Sequence, residues 1–125
     1  MTTGLGRIAW RGIFFLLIVL VIWLSVKAPG GVMSFSIWDK LQHFLAYAVL
    51  GGMGVLCFPG RVSSVILVLG LFLLGIGLEV LQFYVPGRDM SLGDGFANLL
   101  GVIFGVGSGY WITQGRVGAS RGRAP

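Results

Sequence analysis

VSSVILVLGLFLLGIGLEVLQFYV, residues 62–85, contains a single acidic residue, Glu79, and no Lys or Arg. A helix needs about 20 apolar residues to cross the hydrocarbon core of a bilayer, at ~1.5 Å of rise per residue. This stretch is long enough. Three other apolar runs accompany it. One covers residues 12–26, one 41–58 and one 96–113. The expected fold is therefore all-α, a four-helix transmembrane bundle formed by residues 1–114.

Composition supports this. The 125 residues are 56% hydrophobic and 10% charged, with mean hydropathy +0.94. Soluble domains carry about 25% charged residues, so this chain has too little polar surface for water. The net charge of +5 resides mostly near the ends. Such basic flanks suit the inner face of a membrane better than nucleic acid, and no nucleic-acid partner is expected. Residues 115–125 are rich in Gly, Arg and Ala and read as a disordered basic tail. The basic start followed by Ile13 to Leu24 resembles a signal peptide. Val26-Lys27-Ala28 matches a cleavage site only loosely. A single cysteine, Cys57, excludes an internal disulfide.

The connections are polar or rich in turn-forming residues. Pro29-Gly30-Gly31 opens the first, with an interfacial piece expected around Val32 to Ile37. Pro59-Gly60-Arg61 is a tight turn, and 86–93 is a polar one. Four spans put both termini on one side. Arg7, Arg11, Arg61, Arg116, Arg121 and Arg123 share that side, against Lys27, Lys40 and Arg88. The excess places both termini in the cytoplasm. Trp10, Tyr110 and Trp111 then lie near the inner interface, and Trp23, Trp38 and Tyr84 near the outer one.

Ala97, Gly101, Gly105 and Gly109 recur every four residues along one face of the fourth span. Small residues at this spacing let helix backbones approach closely. The expected partner is another helix of the same chain, with a homodimer seam as the alternative.

The unusual polar residues gather at the outer ends of spans two, three and four. Asp39, His43 and Tyr47 share a helix face, with Lys40 beside them. Glu79 and Gln82 share another face, Arg88 follows in the turn, and Asp94 and Asn98 open the fourth span. Glu79 lies roughly 9 Å inside the end of its span. An acid near a helix centre costs about 2.5–3.5 kcal/mol on insertion scales, so it should face the bundle interior. It is expected to be protonated, or paired with Arg88, Lys40 or His43. Each residue also has a plainer role. Asp39 and Asp94 suit helix N-caps, while Gln82 and Asn98 suit interhelical hydrogen bonds. The grouping of costly residues at one depth favours a site.

The pattern Asp39-Lys40-x-x-His43-Phe44-x-x-Tyr47, then Glu79-x-x-Gln82 with Pro86-x-Arg88, then Asp94-x-x-x-Asn98-x-x-Gly101 resembles the VanZ-like family of small bacterial membrane proteins. The likeness covers roughly Trp38 to Gly109. It implies a multi-pass protein of the bacterial inner membrane, working in the cell envelope, with a family link to teicoplanin resistance.

From the residues, two chemistries stay open. In the first, Lys40, His43 and Arg88 bind the phosphate or carboxylate of a membrane lipid or lipid-linked envelope precursor, with Asp39, Tyr47, Gln82 and Asn98 shaping the pocket. In the second, His43, Glu79 and Asp94 form a catalytic group that modifies such a molecule, with His43 as general base. The second lacks a clear nucleophile beyond Ser91 and Tyr47. A purely structural scaffold or partner subunit is a further reading, and a proton-linked transporter ranks below it. No cofactor is expected. A metal on His43, Glu79 and Asp94 would have one nitrogen among hard oxygens, a weak set, and none is expected.

Overall fold

The computed structural model describes residues 4–27 and 36–122. They form four helices: α1 (Gly4–Val26), α2 (Ser36–Cys57), α3 (Arg61–Phe83) and α4 (Leu92–Arg121). No strand occurs among the described residues. Three helices, α1, α3 and α4, are long and apolar enough to cross a membrane. The first turns of α2 hold Asp39, Lys40, Gln42 and His43, which lower its hydropathy and keep it outside that group.

Breakers set the inner boundaries. α2 stops at Cys57, just before Pro59, and Gly60 takes a φ of 125°. That backbone suits glycine and reverses the chain. The Gly60 carbonyl then accepts from the Ser64 N–H (2.9 Å) and the Ser64 hydroxyl (2.8 Å). Past α3, Pro86 cannot continue a helix, and Gly87 turns at φ 80°. The helices overrun the apolar stretches. α1 starts well before residue 12, α2 before 41 and α4 before 96. Helical hydrogen bonding does not end where side chains become polar. The same logic corrects the tail: residues 115–121 are the last turns of α4, not a disordered segment. At 30 residues, α4 is roughly 45 Å long, longer than the ~30 Å hydrocarbon core. The interfacial piece expected at 32–35 lies outside the described residues, and residues 36 and 37 begin α2.

α2 and α4 form the closest pair. A Cβ at Gly101 would overlap the Phe44 carbonyl, and one at Gly105 the Ala48 carbonyl. At Gly109 the nearest atom would be the Gly52 carbonyl oxygen, 3.1 Å away. The fit is mutual, since a Cβ at Gly51 would sit 3.0 Å from the Val102 carbonyl oxygen. The glycine stripe is thus covered by α2 of the same chain. A homodimer seam through it would require α2 to leave. α3 lies against α4 and α2, and α1 lies outermost, against α2 and α3. Tyr47, Leu50, Val55, Leu71, Val102 and Val106 are buried at the centre, and Phe14 is the one buried residue of α1. Cys57 is a free, buried packing residue.

The outside is apolar. Leu16, Ile66, Leu73 and Phe104 are each 62–67% exposed. So continuous an apolar surface calls for an apolar solvent. Arginines close two helix ends. The Arg11 Nε donates to the Cys57 carbonyl at the end of α2 (3.3 Å), and Arg88 does the same for α1 at the opposite end. This suits the partial negative charge of a helix C-terminus.

Candidate functional site

The site lies where α1 and α3 end and α2 and α4 begin. Asp39, His43 and Tyr47 follow one another at single-turn spacing on α2 and all line a cavity of about 470 Å³. His43 is the hub. Its Nδ1 lies 3.0 Å from Asn98 Oδ1, on a residue only 2% exposed. Its Nε2 lies 3.8 Å from Asp94 Oδ2 and 3.9 Å from Asp39 Oδ2. Both exceed hydrogen-bond length. The other Asp94 oxygen accepts from Lys40 Nζ at 3.4 Å. Neither aspartate caps its helix. α2 begins at Ser36, and the N-cap of α4 is Ser91, so both acids stand in first turns. A carboxylate there favours the helix start electrostatically.

Glu79 is buried, as expected, but with no cation as its hydrogen-bond partner. Its Oε2 accepts the backbone N–H of Ser91 at 3.2 Å. Ser91 has no side-chain cap bond at the start of α4. The acid of α3 therefore meets the electropositive end of α4. Arg88 is not available to Glu79 because it is turned to α1. Its Nε donates to the Lys27 carbonyl (3.0 Å) and its Nη2 to the Leu24 carbonyl (3.3 Å). Gln82, 2% exposed, donates to the Ser25 carbonyl at 3.1 Å. Arg88 and Gln82 together satisfy carbonyls that the end of α1 leaves open.

The sequence-derived site therefore divides. Asp39, His43, Tyr47, Gln82 and Arg88 line the cavity. Lys40, Glu79, Asp94 and Asn98 stand at the same end of the bundle, outside the cavity wall, where Asp94 and Asn98 face His43. The trio His43, Glu79 and Asp94 does not form, because the Glu79 carboxylate turns to Ser91. Asp39 takes its place beside His43.

Three polar wall residues escaped the sequence reading: Ser25, Lys27 and Gln42. α1 seemed to lack polar residues in its span. It contributes its terminus instead, with Lys27 and the carbonyls that Gln82 and Arg88 meet. The signal was the Ser25-x-Lys27 pair closing the first apolar run. Gln42, beside His43, was passed over because it breaks the four-residue spacing.

Among the described residues, the Tyr47 hydroxyl is a buried polar atom with no partner. The tyrosine is 1% exposed. Its hydroxyl lies beside Gly75, where a Cβ would come within 3.5 Å of it and 3.2 Å of Asn98 Nδ2. The glycine lets α3 close over this polar group. Compared with known proteins, the chain matches no family model, and neither curated proteins nor solved structures match it.

Proposed function

We propose that this chain is a VanZ-like, four-span protein of the bacterial inner membrane with both termini in the cytoplasm, and that its outer-leaflet cavity binds the anionic group of a lipid or lipid-linked envelope component. The observation that carries this reading is the position of Arg88. Two of its donors are fixed on α1 carbonyls, and arginine has five. The guanidinium is held on the wall of a half-polar cavity, with Lys27 and Gln82 beside it. A planar, oriented donor group of this kind suits phosphate or carboxylate. The apolar side chains around the bundle would seat the rest of a lipid.

Binding is favoured over modification. The Tyr47 hydroxyl is buried, and Ser91 is not part of the cavity wall, so neither suspected nucleophile is presented beside His43. The scaffold reading draws on a different observation. Glu79, Gln82 and Arg88 all bond to backbone groups at helix ends, which is what helix-fixing residues do.

Native mass spectrometry of the purified protein separates these readings. A co-purifying anionic lipid is expected on the unaltered chain. A charge-assisted hydrogen bond contributes about 1.5–3 kcal/mol, so Arg88→Ala should weaken retention by about 10- to 100-fold. His43→Ala should weaken it less. Equal retention by Arg88→Ala and the unaltered protein would refute anion binding at this cavity.

A further inference from the structure

Asp39, His43 and Asp94 each offer one ligand atom, and these atoms lie within 4.8 Å of one another. We propose that they hold a divalent transition-metal cation, of the Mn²⁺ or Zn²⁺ type, at the start of α2 and α4. The site stands on the contact between those helices and does not rest on the anion-binding reading.

Histidine geometry leads to this. Asn98 Oδ1 can only accept, so in the tautomer with the proton on Nδ1 the 3.0 Å contact is a donated hydrogen bond. Nε2 then turns its lone pair toward two carboxylate oxygens, 3.8 and 3.9 Å away. Three electron-rich atoms converge with no donor between them. The gaps are too long for hydrogen bonds. Metal–ligand bonds of about 2.0–2.2 Å separate neighbouring ligands by roughly 3–3.6 Å, so small side-chain rotations would bring the three atoms onto one ion.

The surroundings fit as well. Metal-bound histidines donate their second N–H to an oxygen that fixes the ring, and buried Asn98 occupies that place. Lys40 holds Asp94 through Oδ1, leaving Oδ2 turned to His43. Asp39 and His43 face the 470 Å³ cavity, which leaves room for water or another ligand on the ion. Tyr47, with its unpartnered buried hydroxyl, belongs to the same cavity wall one turn beyond His43. Among the described residues, Asp94 pairs with Lys40 while Asp39 meets no Lys or Arg within 4 Å, so a divalent ion would balance a carboxylate that no such cation pairs. The imidazole nitrogen favours a transition metal over Mg²⁺ or Ca²⁺.

His43 is the single histidine of the chain, which makes the test direct. The protein is purified in detergent through a histidine-free tag, stripped with chelator and titrated with Mn²⁺. One ion per chain is expected, with imidazole-nitrogen modulation in its electron spin-echo spectrum. Asp39→Asn and Asp94→Asn should each raise the dissociation constant about tenfold or more, whereas Gly107→Ala, which meets nothing within 4 Å, should leave it unchanged. Absence of binding, or ions bound without the nitrogen signal, overturns the site. So does an Asp39→Asn variant that binds like the unaltered chain. If the variants fail to fold, the nitrogen signal of the unaltered protein decides.

Discussion

Glu79 shows how one side chain can join two helices at little expense. Its carboxylate accepts the N–H that opens α4, so the buried acid and the open helix end satisfy each other. The side-chain oxygen matters here, and the charge matters less. Glu79→Gln keeps an acceptor and should shift stability by less than about 1 kcal/mol. Glu79→Leu leaves the Ser91 N–H unpaired and should cost about 1–3 kcal/mol. Thermal unfolding in detergent, followed by helical circular dichroism, measures both. Equal losses for the two variants would mean that the charge, not the hydrogen bond, holds the turn. The burial of Glu79 was legible in the sequence, although α3 ends at Phe83, closer to it than the apolar run suggested. The partner of Glu79 was not legible, because a backbone N–H twelve residues away leaves no compositional trace. The pairing of Arg88 with Glu79 was misjudged for the same reason: the partners of Arg88 are carbonyls, which every residue has.

At the scale of elements, the α2–α4 contact governs the site, since His43 meets Asn98 and Asp94 only across it. Its closeness comes from Gly101, Gly105 and Gly109 lying against the α2 backbone. Gly105→Ala places a methyl into the Ala48 carbonyl and should destabilise the pair by about 1–3 kcal/mol. Gly107→Ala on the same helix meets nothing within 4 Å and serves as the neutral comparison. Disulfide crosslinking between cysteines introduced on α2 and α4 should slow for Gly105→Ala alone. Equal rates for the two variants would show that the close approach is not needed. The four-residue spacing disclosed this stripe, but only packing identified α2 as the surface it meets.

For the whole molecule, topology assigns the eight helix ends to two faces, four on each. The cavity, Lys27 and Arg88 lie at one end, and Arg11 and Arg61 mark the other. An alkaline phosphatase fused after Pro125 should be inactive if the termini are cytoplasmic, while a fusion at the Pro86–Gly93 turn should be active. Strong activity at Pro125 would reverse the sidedness. The sequence by itself determined how many helices form, which stretches are apolar and which ends of the second, third and fourth carry polar groups. Those features follow from local periodicity, breakers and transfer energies. Tertiary structure alone decided which polar groups meet: Asn98 with His43, Asp39 and Asp94 with the same imidazole, Glu79 with Ser91, and Arg88 with α1. These partners lie on different helices, and the rotation of each helix about its axis is set by how the glycine-lined backbones nest, a property of the assembled bundle.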